Sequence, residues 1–218
     1  MSIKAESIIK AIDTARNQSK HRRFEQSIDL VVTFRDLDIK KPENKFSLTV
    51  TLPHPIPNKQ NKICMIASGS MVLSARDANV DLVISKDDFP PKYVESKKSI
   101  RKLAQEYDFF LATPDMMVQI GRTMGSILGP RGKMPDVVQP NADLKPIVDR
   151  YRRSVRVKIK DQPQVMARIG GETMNEKEIA ENATAVLEEI TKKVQPEKIR
   201  SIYIKLTMGA PIRLNLQQ

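Results

Sequence analysis

The residues best equipped for chemistry lie in three short segments, and none has the composition of a catalytic centre. Lys20, His21, Arg22, Arg23, Phe24, Gln26, Ser27 and Asp29 fall within ten positions, KHRRFEQSID. Basic groups can hold phosphates, an aromatic plate can pack on a ribose or a base, and short hydroxyls and carboxylates can read 2′-hydroxyl groups. The plainer alternative is that the basic run offsets the negative pole of a preceding helix and that Phe24 is core. Near the other end, Thr207-Met208-Gly209 occupies the turn of a strand pair. It could approach an RNA groove closely, or be an ordinary hairpin turn in which Gly209 relieves steric crowding. The third segment is Gly129–Pro135, GPRGKMP, with Arg131 and Lys133. It has the outline of a phosphate loop, but it follows a helix, and Met134 stands where a magnesium-binding Ser or Thr is required. Arg131 and Lys133 could still touch a phosphate backbone, or simply mark a basic turn between helices.

Enzymatic chemistry has little to work with. Histidine occurs only at 21 and 54, and Cys64 is the single cysteine. Cys64 falls in a continuous apolar run that hides it from a Cys–His pairing. Cys and His are too few for a zinc site, so no metal and no cofactor is expected. One cysteine allows no intrachain disulfide, which fits a reducing compartment. The formal net charge of +11 points instead to a polyanion. It is +5 over 58–153 and +3 over each of 1–57 and 154–218, so no single basic tail explains it. Trp is absent and aromatics are 5% of the chain, which argues against a broad base-stacking platform. Charged residues interrupt the first fifteen positions, and the charge-free runs 46–58 and 63–75 fall short of the ~20 apolar residues that span a bilayer. A soluble, intracellular protein without a membrane partner is expected.

Periodicity supplies the elements that must position these segments. Residues 3–19 have helical spacing, and Ser27–Phe34 and Lys45–Leu52 read as strands, the second with one wet face. Leu52–Asn58, LPHPIPN, reads as a linker because three prolines restrict it. Strand–helix alternation follows: strands at Ile63–Ala67, Val80–Ile84 and Phe109–Ala112, and helices near Val72–Ala78, Pro91–Glu106, Met116–Leu128 and Ala142–Arg153. That alternation indicates a parallel sheet covered on both faces. Strands then return at 155–160 and Gln164–Ile169, followed by a helix over Asn175–Val194 with Asn175 as its cap, and strands at Ser201–Leu206 and Pro211–Leu216. The expected architecture is therefore an α+β domain split between 1–57 and 154–218, interrupted by an inserted α/β domain at 58–153. A two-stranded connection of this kind should permit hinge motion.

Taken together, these segments resemble the ribosomal L-one family, the protein of the large-subunit stalk, over essentially the whole chain. The resemblance is carried by Ala112–Asp115 (ATPD), Gly121, Gly125 and Ile127–Pro135 (ILGPRGKMP), and by RRFxQSIDL at 22–30, TLPH at 51–54 and RSIYIKLTMG at 200–209. The short linkers and basic character are similar to archaeal members. The resemblance implies a split α+β domain with an antiparallel sheet and an inserted Rossmann-like domain. It implies no catalysis, a cytoplasmic ribosome-associated location, and binding to large-subunit rRNA at the mobile stalk. It further implies assistance to deacylated tRNA leaving the exit site, repression through the protein's own mRNA, and a monomer off the ribosome. By motif, it assigns RNA contacts to Arg23, Phe24, Ser27, Asp29, Ser201, Thr207, Met208 and Gly209, with Arg131 and Lys133 as secondary contacts. Two rivals remain. An enzyme on the inserted domain would need a glycine fingerprint after its first strand, where Ser68-Gly69-Ser70 offers one glycine. A DNA-binding protein would tolerate a deoxy target throughout.

Overall fold

The computed structural model describes residues 5–39, 41, 44–57, 59–89, 96–159 and 161–214. In chain order the first elements are α1 (Ala5–Gln18), β1 (Ser27–Phe34), β2 (Ser47–Thr51), β3 (Ile63–Ala67), α2 (Met71–Asp77) and β4 (Leu82–Ser85). Next come α3 (Lys97–Glu106), β5 (Phe109–Ala112), α4 (Pro114–Thr123), α5 (Gly125–Arg131), β6 (Asp136–Val137) and α6 (Leu144–Arg152). The last are β7 (Ser154–Lys158), β8 (Gln164–Gly171), α7 (Glu176–Thr191), β9 (Ile199–Leu206) and β10 (Ile212–Leu214). They form two compact units, Met1–Gln60 with Arg153–Gln218, and Asn61–Arg152.

The first unit is built on an antiparallel sheet of order β10-β9-β1-β8, beside a two-stranded antiparallel pair of β2 and β7. Strand alternation turns Ile28, Leu30, Val32 and Phe34 of β1 inward, each 3% exposed or less. They meet Ile8 and Ile12 of α1 and Ile179, Ala183, Val186 and Ile190 of α7 in one core. Burying each Ile, Leu or Val contributes roughly 1.5–3 kcal/mol, so this face fixes the strand register. The same alternation leaves Ser27, Asp29, Val31 and Thr33 half-buried on the opposite face. Helix α7 starts as expected, with the Asn175 side chain accepting from the Lys177 N–H.

The second unit holds a parallel sheet of order β4-β3-β5-β6. Helices α3, α4 and α5 cover one face around Ile66, Phe110 and Ala112, and α2 and α6 cover the other around Ile63, Met65 and Leu111. Cys64 is fully buried, and burial pushes its thiol pKa up.

Several sequence expectations need correction. The single helix over 116–128 is two, α4 and α5, which part at Met124. The GPRGKMP loop begins inside α5, whose final turn contains Pro130 and ends at Gly132 with φ +66°. Glycine is needed there because a side chain strains that backbone. Strand β6 has only two residues, too few to show a period. The Leu52–Asn58 linker is anchored at its start: Leu52 is 1% exposed, and its N–H donates to the Arg153 carbonyl at 3.0 Å. The His54 peptide is also held, its N–H donating to Asn182 Oδ1 and its carbonyl accepting from Asn182 Nδ2. Parts of the expected elements lie outside the described residues, namely Ile3, Asn58, 91–95, Lys160 and 215–216.

Candidate nucleic-acid interface

β1 and β9 run antiparallel, and their register carries Ser27 to Thr207, 180 positions away in the chain. The Thr207 N–H donates to the Ser27 carbonyl at 3.0 Å. The Thr207 hydroxyl closes the pair, accepting from the Ser27 N–H and donating to the Ser27 carbonyl, both at 3.2 Å. Its one proton is therefore committed within the protein. A hydroxyl has two lone pairs, so one acceptor position is left for an outside donor such as a 2′-hydroxyl.

Around this clasp stand two exposed apolar side chains. Phe24 is 52% exposed and Met208 is 60% exposed, which settles the alternative that Phe24 is core. Arg22 and Arg23 beside Phe24 are exposed. The Met208 N–H donates to Gln26 Oε1 at 3.1 Å, so the segment after α1 and the turn after β9 are tied a second time. Gly209 departs from expectation. It has no left-handed backbone; the constraint is space, since a Cβ there would lie 3.2 Å from Leu206 Cβ. Its N–H donates to the Leu206 carbonyl at 3.0 Å.

Asp29 lies one alternation further along the outer face, opposite Arg168 of β8 and Lys205 of β9. Burial raises its pKa, while Arg168, Lys205 and Lys59 pull it back. A carboxylate flanked by cations is held in place, ready to accept from a hydroxyl.

Ser201 is not gathered into this cluster. It lies six positions from Thr207, roughly 20 Å along a strand, and is 3% exposed. It faces Thr33, whose hydroxyl donates to the Ser201 carbonyl at 3.1 Å. Its low exposure leaves little of Ser201 open to a ligand.

Arg131 and Lys133 belong to the second unit, and both are engaged there. Lys133 Nζ donates to the Tyr107 carbonyl at 2.6 Å, where α3 ends, and stands 3.9 Å from Asp108. Arg131 donates to the Arg101 carbonyl at 3.3 Å. Lys133 thus caps the end of α3 with a cation, while Arg131 reaches a carbonyl within that helix. Asp115 of ATPD begins α4, and the Ser68 hydroxyl holds its carboxyl below the ordinary value. These motifs tie the unit's own loops together.

Sequence reasoning named Gln26 within its segment but not as a buried support, and it missed Met166, Arg168, Tyr203 and Lys205. Register places Arg213, Tyr203, Val31 and Met166 in one row across the sheet, with Lys205, Asp29 and Arg168 in the next. Alternation within Val165–Arg168 and Ile202–Lys205 puts these residues on the outward face. The signal was legible one strand at a time, but the pairing was not.

The end of the sheet where β1 starts and β9 finishes thus carries hydroxyls, cations, an aromatic and a methionine. Among the described residues no cluster of His, Cys, Asp and Glu could hold a metal ion, and no helix is long and apolar enough to cross a membrane. The chain belongs to the Ribosomal protein L1p/L10e family, whose model matches residues 15–210. It is similar to proteins named Large ribosomal subunit protein uL1. That of Thermofilum pendens is 50% identical over 214 residues, covering 98% of this chain and 95% of the relative. That of Methanothermobacter thermautotrophicus is 42% identical, covering 95% and 98%. That of Aeropyrum pernix is 42% identical, covering 95% and 94%. These relatives are archaeal ribosomal proteins, not enzymes.

Proposed function

We propose that this chain is a large-subunit ribosomal protein that binds rRNA of the mobile stalk through its split unit. The reading takes 1–57 and 154–218 as the RNA-binding α+β domain and 58–153 as an inserted Rossmann-like α/β domain. The observation that carries it is that Phe24 and Met208, on the two segments joined by the Ser27–Thr207 clasp, are both exposed, in a family of ribosomal proteins. Phe24 packs on a ribose or base, Met208 and the Thr207–Gly209 backbone enter a groove, and Thr207 and Asp29 accept from 2′-hydroxyls. Arg23 supplies a phosphate contact, and Arg131 and Lys133 are secondary contacts at most. The mechanism is recognition of RNA shape and 2′-hydroxyls, with a salt-dependent cationic contribution.

Two further roles belong to the same reading. As a component of the stalk, the protein helps deacylated tRNA leave the exit site. A protein that reads RNA shape can also bind a similar fold in its own mRNA and repress its synthesis, acting as a monomer off the ribosome. The test is equilibrium binding of the full chain to a large-subunit stalk RNA fragment and to its all-deoxy analogue across a salt series. RNA-selective binding that persists at moderate salt supports the reading. Equal binding to both, lost as salt rises, overturns it in favour of a merely basic surface.

A further inference from the structure

We infer that Gln26 is a positioning residue for this interface: its buried side-chain amide sets where the Met208 backbone stands, and RNA affinity depends on that amide. The inference rests on the reading of the Phe24–Met208 surface as the RNA site. Gln26 is 0% exposed, so its side chain supports the surface from beneath.

The geometry is that of a three-way joint. Gln26 Oε1 accepts from the Met208 N–H at 3.1 Å, and Nε2 donates to Ser19 Oγ at 3.1 Å. The Gln26 peptide is fixed as well: its N–H donates to Glu172 Oε2 at 3.0 Å, and its carbonyl accepts from the Glu172 N–H at 2.9 Å. One residue therefore joins the chain just after α1, the residue following β8 and the turn following β9. The two ends of the side chain have opposite duties, an acceptor toward Met208 and a donor toward Ser19. An amide supplies both at once, whereas Met of similar volume supplies neither. Two residues before this joint comes exposed Phe24, and the peptide it holds carries exposed Met208.

Within the turn, the Gly209 N–H donates to the Leu206 carbonyl at 3.0 Å and Lys205 Nζ donates to the Thr207 carbonyl at 3.2 Å. Without Gln26 Oε1, the Met208 peptide loses its tie to the first segment. A contact misplaced by a fraction of an ångström costs affinity even where the fold survives.

The experiment compares full-length wild type with Gln26→Met, Gln26→Glu and Ser19→Ala. Each is measured for affinity to the stalk RNA fragment, for melting temperature and for hydrogen exchange at the Met208 amide. Gln26→Met is expected to lose about tenfold in affinity, with faster exchange at Met208, because both side-chain bonds of the joint are gone. Gln26→Glu keeps an oxygen for the Met208 N–H, and the Ser19 hydroxyl can turn to donate to it; affinity should stay within about threefold of wild type. Its buried carboxylate beside Glu172 should nevertheless melt lowest of the set. Affinity and stability then fall in opposite orders, which a merely structural role would not produce. Ser19→Ala leaves the joint's volume intact, should lose about threefold, and carries the test if Gln26→Met does not fold. Folded Gln26→Met or Ser19→Ala at wild-type affinity overturns the inference, as does affinity that simply tracks melting temperature. If wild type itself fails to distinguish RNA from its deoxy analogue, the interface reading falls and takes this inference with it.

Discussion

Truncation of Phe24 separates the folding role of this side chain from its binding role. Fully burying a Phe side chain is worth roughly 1.5–3 kcal/mol. Phe24 is already 52% exposed in the folded chain, so about half of that is at stake in folding. Phe24→Ala should therefore cost about 1 kcal/mol of stability, near the centre of the range for point substitutions. Stacking of one base on an aromatic ring is worth ~1–3 kcal/mol by alanine substitution, or about 5- to 150-fold in affinity. The assay pairs denaturant melts with binding of the stalk RNA fragment at several salt concentrations. A ring carries no charge, so the slope of log affinity against log salt should not change. Arg23→Ala, by contrast, should flatten that slope by about 0.7–0.9 if Arg23 meets a phosphate. Wild-type affinity in folded Phe24→Ala would refute the stacking argument. A stability loss of several kcal/mol would refute the exposure argument beneath it.

Three other substitutions test the framework that holds the site. Asp29 has a pKa raised by burial, so the folded state holds its proton more tightly than the unfolded chain. Its contribution favours folding in acid and is lost as pH rises through the carboxylate range; Asp29→Asn should gain stability relative to wild type as pH rises through that range, read from melts at a series of pH values. Asn182 is 0% exposed and makes three hydrogen bonds, two to the His54 peptide and one to the Ile169 carbonyl at 2.9 Å. Asn182→Leu should cost about 3 kcal/mol by denaturant melt, because it orphans all three partners. Gly170→Ala would put a Cβ 2.7 Å from Ile179 Cγ1, so thermal melts should show a loss of about 1–3 kcal/mol unless α7 shifts.

How much was legible differs between backbone and site. Strand β1 was readable to the residue, because Ser27–Phe34 is rich in β-branched and apolar residues, and its burial then alternates with one face in the core. The helix break at Met124 was hidden: apolar spacing continues through Ile120, Met124 and Leu128, all of which are buried in one cluster. At the site, Phe24, Thr207 and Met208 could be singled out by residue type. Gln26 was named with its segment, but a polar residue between Glu25 and Ser27 gives no sign that it is fully buried. Ser201 was misplaced for a related reason. Its hydroxyl was counted by type, while its 3% exposure belongs to a strand pairing, with Thr33 opposite, that local sequence does not reveal.

The clasp between Ser27 and Thr207 has a consequence for the timing of synthesis. Its halves are 180 residues apart, and at ~5–20 residues per second the ribosome needs about 9–36 s to pass from one to the other. Throughout that interval the growing chain displays Arg22, Arg23 and Phe24 without the strand that completes their surface. The second unit draws its sheet from Ile63–Val137 alone and can close while the rest is still being made. A nascent or prematurely ended chain is thus denied the assembled surface, and only a polypeptide translated past residue 209 can present it.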